Sequence, residues 1–232
     1  MLLLFKNKQL ISFFFLLFFT ISYSQNDVVN ESNNESVKRR VSDYPEGFYY
    51  SYKDFITKKV RPSLNIERRN LGYEKIENKD TIVDQIFFYV IRDTTKLTDI
   101  FAVSHQGNLY IQQRYLTSYA KKGNKGETGD NPNSYHRVIK DGKFLYLEGY
   151  FGNALSKAFA MNAGVGGYYL SKNINRLKGV IFNFEDNKFD FFKNCEDFST
   201  FMTEQNFLEE INCKNKSYSI SIVREIIDKM NQ

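Results

Sequence analysis

Three pairs of short apolar runs, each joined by a turn of Gly, Asn or Asp, constrain this chain more than any other feature. Residues 99–104 and 109–113 flank His105-Gln106-Gly107-Asn108. Residues 135–139 and 144–148 flank Lys140-Asp141-Gly142-Lys143. Residues 180–184 and 188–192 flank Glu185-Asp186-Asn187. The runs are rich in β-branched and aromatic residues, and Phe182, Phe184, Phe189 and Phe191 alternate at period two, the pattern of half-buried strands. Asp141-Gly142 predicts a type I′ turn, in which both central residues take positive φ. Each pair therefore reads as an antiparallel hairpin. The turn centres follow no fixed period, which excludes a repeat architecture.

The remaining segments add helices and one more strand. Residues 81–91 (TIVDQIFFYVI) form the densest buried-strand candidate. Ser51-Tyr52-Lys53-Asp54 is a capping-box pattern, with Ser51 and Asp54 each positioned to satisfy a backbone N–H of the other. Leu155, Ala158, Phe159 and Asn162 have helical spacing, yet residues 160–167 are also rich in small residues. Asn194 begins a helical run with Phe198, Phe201, Met202, Leu208 and Ile211 on one face. Val223, Ile226, Ile227 and Met230 repeat at i, i+3, i+4, i+7, and both stripes read as core. Residues 118–134 (SYAKKGNKGETGDNPNS) form a long polar loop, expected to be mobile. The predicted fold is α+β: an antiparallel, hairpin-built sheet or partial barrel closed by C-terminal helices.

The N-terminus supplies a compartment. Lys6 and Lys8 precede a short apolar stretch, residues 11–22, and Ser22-Tyr23-Ser24 places small residues for cleavage after Ser24. The wider apolar run, residues 10–23, is 14 residues long and falls short of the roughly 20 needed to span a bilayer. Residues 1–24 thus read as a signal peptide, 25–43 as a disordered polar tether, and 44–232 as a single domain, periplasmic or secreted. The sequons at Asn30 and Asn34 fall in so Asn-rich a tract that chance accounts for them. Removing the leader lowers the net charge from +5 to +3, too little for a nucleic-acid footprint. It also removes seven of the 38 Phe and Tyr residues from the fold argument.

Few residues nominate themselves for chemistry. Cys195 and Cys213 are the only cysteines, and an oxidising compartment favours a disulfide between them. One continuous helix from 196 to 211 would hold them about 24 Å apart, whereas a bridge needs Cα atoms within roughly 7 Å. Bridging therefore requires a break, and Thr203-Glu204-Gln205-Asn206, which interrupts the apolar stripe, is where it belongs. His105 and His136 are the only histidines, each beside a hairpin strand. No pair among the His and Cys residues has metal-ligand spacing, and each histidine reads as a hydrogen-bonded surface or edge residue. Gly164-Val165-Gly166-Gly167 lacks the spacing and context of a dinucleotide fingerprint and reads as close backbone packing. Glu148, Glu185, Asp186 and Asp190 are scattered carboxylates without a nominated pair. Phe144, Tyr146 and Tyr150 would share one strand face, which could bind a ligand or build the core. No catalytic, cofactor or metal site emerges.

Three passages carry a resemblance: Tyr44-Pro45-Glu46-Gly47-Phe48-Tyr49-Tyr50-Ser51-Tyr52-Lys53-Asp54-Phe55, then Ile100-Phe101-Ala102-Val103 through Gly107-Asn108-Leu109-Tyr110-Ile111, then Lys140-Asp141-Gly142-Lys143-Phe144. With the leader ending Ser-Tyr-Ser before Gln, they resemble uncharacterised secreted proteins common in Bacteroidota, a group without an assigned activity. The resemblance implies an exported location and carries over no site residue. The expectation is a non-enzymatic binding or envelope-associated module, its partner an envelope protein or a small ligand. The alternative is an envelope hydrolase whose site assembles only in three dimensions.

Overall fold

The computed structural model describes residues 39–62, 65–70, 84–172, 174–209, 211, 213 and 219–232. The leader, the tether up to residue 38 and residues 81–83 of the buried-strand candidate lie outside the described residues. The elements run β1 (Gly47–Tyr49), α1 (Tyr52–Ile56), β2 (Ile66–Asn70), β3 (Gln85–Val90), β4 (Ala102–His105), β5 (Asn108–Gln112), α2 (Gln113–Ser118), β6 (Glu127–Thr128), β7 (Tyr135–Lys140) and β8 (Phe144–Asn153). They continue with α3 (Ala154–Met161), α4 (Gly164–Lys172), β9 (Arg176–Asn183), β10 (Lys188–Phe192), α5 (Cys195–Glu204) and α6 (Ile220–Asn231).

All three predicted hairpins form, and the named strands pair antiparallel throughout. The sheet runs β1-β4-β5-β7-β8-β9-β10, with β3 joining β7 to β2 and β6 pairing with β8. It is α+β with an open sheet, so the partial-barrel alternative is not realised. Strand β7 is the pivot. Its first half pairs with β5 and β3, and beyond a bulge at 138–140 it pairs with β8.

The turn chemistry is redistributed. Both Gln106 (φ 51°) and Gly107 (φ 73°) take positive φ between β4 and β5, the requirement of a type I′ turn. At Asp141-Gly142 only the glycine does, with φ 141°, so the predicted type I′ turn is absent. Arriving chain explains it. Arg39 and Gly142 exchange two backbone hydrogen bonds of 3.0 Å, and the Asp141 carboxylate accepts from Val41 N at 2.5 Å. These bonds fasten residues 39–41 to the β7–β8 turn, although composition alone placed 39–43 in the tether.

Side-chain alternation along β8 divides the core. Leu145, Leu147 and Phe151 join Ile111, Val180, Phe182 and Phe189 on one face, packed with Tyr49, Phe55 and Phe101. Phe144 and Tyr146 join Ile181 and Phe192 on the other, covered by Phe198, Phe201 and Met202 of α5 and Val223, Ile226 and Ile227 of α6. The Asn231 side chain accepts from Phe144 N and donates to Phe144 O, fixing the end of α6 to β8. The Ser51–Asp54 capping box forms as predicted.

The helix break also falls where the sequence placed it. Asn194 caps α5 by accepting from Asp197 N at 2.8 Å. The helix ends at Glu204, and Asn206 turns the chain with φ 55°. Cys195 and Cys213 are joined, their Cα atoms 5.6 Å apart. The same break corrects Leu208, expected on the buried stripe. Beyond Glu204 the helical phase is not carried on, and its side chain is exposed.

Candidate functional site

Strand β8 runs directly into α3, and the junction is fastened on its inner side. The Asn153 side chain caps α3 by accepting from Ser156 N at 3.1 Å, while Ala154 N donates to Gly126 O at 2.8 Å. Lys157, nearly buried, sends its ammonium inward to Asp130 Oδ1 at 2.9 Å and Thr128 O at 3.0 Å. Asn175, beyond α4, donates to the second Asp130 oxygen at 2.8 Å. Both ends of the α3–α4 hairpin thus converge on Asp130.

That carboxylate belongs to the segment expected to be mobile. Instead the 118–134 segment is docked. Strand β6 pairs with the end of β8, the Lys178 ammonium and the Glu127 carboxylate form a buried ion pair, and Lys121 meets Asp190 at 2.8 Å. Its polar composition serves contacts to the sheet rather than solvation.

The two helices approach closely. A Cβ on Gly167 would stand 1.8 Å from the Ala160 carbonyl oxygen, so only glycine fits at the crossing. The small-residue run is therefore a packing device, as the sequence indicates. With Lys157 turned inward, the apolar side of α3 turns out. Leu155 and Phe159, one helical turn apart, are 64% and 68% exposed; Met161 is 56% and Leu170 of α4 61%. Among the described residues seven large apolar side chains are exposed, and these are four of them. From Ala158 to Ser171 the chain carries no charged residue over 14 positions. Helical spacing was visible at 155–162, but the stripe it marks faces solvent.

Beneath the sheet surface lies a set of buried polar groups. His136, fully buried on β7, has Nδ1 3.2 Å from the Glu148 carbonyl oxygen and Nε2 3.1 Å from the Gln113 side-chain oxygen. Burial drives its pKa down to about 4, and the Glu148 carbonyl opposes this. A neutral imidazole has one N–H, so it donates to only one of these two oxygens at a time. Gln85 Nε2 extends the set, donating to Gln113 Oε1 at 2.9 Å and Ser134 Oγ at 2.7 Å. The Glu148 carboxylate takes a two-pronged contact from Arg224 of α6, both bonds 3.0 Å, and accepts from the Tyr146 hydroxyl at 2.9 Å.

The residues singled out by sequence fare differently. Phe144 and Tyr146 are fully buried under α5 and α6, Phe144 lying 5.3 Å from the Phe201 ring, and Tyr150 is half-buried. Of the two readings of that strand face, Phe144 and Tyr146 take the core one, because the C-terminal helices cover them. His136 is not the expected surface or edge histidine. It sits where β7 has neighbours on both sides, whereas His105 is half-buried with its ring 5.8 Å from that of Phe88. Of the four scattered carboxylates, Asp186 and Asp190 do come together, at 3.9 Å and 2.8 Å from the same Lys121 ammonium. Burial raises the pKa of Asp186. Among the described residues no group of three or more His, Cys, Asp or Glu could hold a metal ion, and no helix is long and apolar enough to cross a membrane.

Comparison with protein-family models, curated proteins and solved structures returned no match. The geometry alone carries the functional argument.

Proposed function

We propose that this is an exported, non-enzymatic binding module of the cell envelope whose contact surface is the outer side of the α3–α4 hairpin. One observation carries the reading: four large apolar side chains of this one hairpin, Leu155, Phe159, Met161 and Leu170, are exposed to solvent. Isolated exposed apolar residues are ordinary, but a cluster of this kind on a water-facing helix pair marks an interaction site. The rigid fastening at Lys157, Asp130 and Asn175 supports it, since a presented surface needs a fixed root. Export is supported by the leader pattern and by the Cys195–Cys213 bridge, a bond that persists in oxidising compartments. The resemblance to secreted proteins points the same way. The buried carboxylates Glu127 and Glu148 are each neutralised by a cation, Lys178 and Arg224, which supports a structural rather than a catalytic role for them.

A photo-crosslinking residue tests this at position 159, with a control at position 91, where Ile91 is also an exposed apolar side chain but lies elsewhere. Incubated with cell-envelope preparations, the protein should crosslink efficiently from 159 and weakly from 91. Equal yields at the two positions would remove the hairpin as the contact surface.

A further inference from the structure

We infer that the partner of this surface is a phospholipid bilayer, with the α3–α4 tip seated in the headgroup layer; the inference rests on the hairpin being the contact surface. The first argument is directional chemistry. A protein–protein interface carries about one hydrogen bond per 100–200 Å². Across the tip, from Ala158 to Ser171, there is no charged side chain. The helical backbone satisfies most of its own donors and acceptors, and the wet headgroup layer can serve the four hydrogen-bonding side chains of the stretch, Asn162, Tyr168, Tyr169 and Ser171. An apolar phase that asks for no directional partner fits such a surface.

Area is the second argument. Four side chains, each 56–68% exposed, expose on the order of 500 Å² between them at about 200 Å² per large side chain. That lies within the range of the largest apolar patch on a typical monomer, roughly 300–600 Å², a patch that is often functional. It falls well short of the roughly 800 Å² per partner that a specific dimer buries, so a second copy of the chain is the poorer occupant. Insertion of these four side chains requires no such minimum.

Charge and length complete the case. Residues 149–184 contain no Asp or Glu, so nothing in this stretch repels an anionic headgroup. Asp130, the acid that meets the hairpin root, is held by Lys157 and Asn175. Helix α3 has eight residues and is about 12 Å long. That is far too short to span a bilayer of about 30 Å, so the contact is confined to one leaflet.

The chain has no Trp, so Phe159→Trp in the exported protein, residues 25–232, is a unique reporter. On adding vesicles of phosphatidylcholine containing phosphatidylglycerol, its emission should shift to the blue, whereas that of Ile91→Trp should not. Adding Leu155→Ser and Met161→Ser to the reporter should lower the vesicle partition coefficient roughly thirtyfold, about 2 kcal/mol. Leu170→Ser, on the other helix, should lower it severalfold by itself. All these side chains are exposed, and circular dichroism with a free-thiol count confirms that each variant is folded and bridged. No blue shift at position 159, or an equal shift at 91, overturns the bilayer as partner. So does a concentration-dependent dimer that hides the tip without lipid. Crosslinks from 159 to protein without vesicle binding would sink the bilayer and leave the contact surface standing; failure of both experiments sinks both.

Discussion

His136 should make the fold acid-labile by an amount that can be isolated. The ring is fully buried between Gln113 and the Glu148 carbonyl, and its pKa falls from the ordinary 6.5 to about 4 because the charged form has lost its water. In the unfolded chain the same histidine titrates at about 6.5. As the pH drops below that value, the unfolded state takes up the proton first, so the folded state loses stability. The loss begins near pH 6.5 and levels off below about pH 4, once the folded state is protonated too. At about 1.4 kcal/mol per pH unit, the interval corresponds to a loss on the order of 3 kcal/mol. Urea unfolding of the native protein and of His136→Gln between pH 7 and pH 4 measures it. The carboxylates titrate alike in both proteins and cancel in the difference, leaving the histidine alone. The native protein should be the more stable near pH 7 and should lose about 3 kcal/mol relative to the variant by pH 4. A difference that stays flat across this range would refute the burial argument. A difference that grows toward low pH would mean that the imidazolium is stabilised in the fold, serving the Glu148 and Gln113 oxygens at once.

Two further outcomes follow from the geometry. Replacing both Cys195 and Cys213 by Ser opens a link spanning 18 residues and should cost about 3 kcal/mol by loop entropy; chemical denaturation measures the loss. A free-thiol count of zero on the native protein checks the bond itself. Gly167→Ala should drive the α3 and α4 backbones apart at Ala160. Amide exchange should then quicken through 154–172 while α6 remains protected.

The sheet was legible in the sequence because its signals are local. Two-residue alternation and a turn residue identify a hairpin without reference to anything distant, and the three hairpins form accordingly. The break after α5 was legible for a different reason: the bridge geometry and a continuous helix were incompatible, and polar residues marked where to yield. What the sequence did not show depends on partners far along the chain. Asp141-Gly142 satisfies the local rule for a type I′ turn, yet Arg39 arrives from about a hundred residues away and opens it. Residues 118–134 look like a solvated loop by composition. Their charges have buried counterparts on β9 and α3, and no local pattern identifies a counterpart so remote.

The hairpin shows a more specific limit. Helical periodicity defines an axis across the helix but not which end of the axis meets water. Leu155, Ala158, Phe159 and Asn162 give that axis correctly, and in most surface helices the apolar end turns inward. Here the opposite end is held inward by one lysine, whose ammonium is satisfied at Asp130 and Thr128. A paired, nearly buried ammonium can outweigh the apolar stripe only if the stripe has another place to go, because leaving Leu155 and Phe159 in water forfeits roughly 1–2 kcal/mol apiece. The inversion of α3 is thus itself an argument for a partner. It carries a sign that a purely structural account does not: Lys157→Met should loosen the root at Asp130 and let α3 turn its apolar side inward, weakening vesicle binding while leaving all four exposed side chains in the sequence.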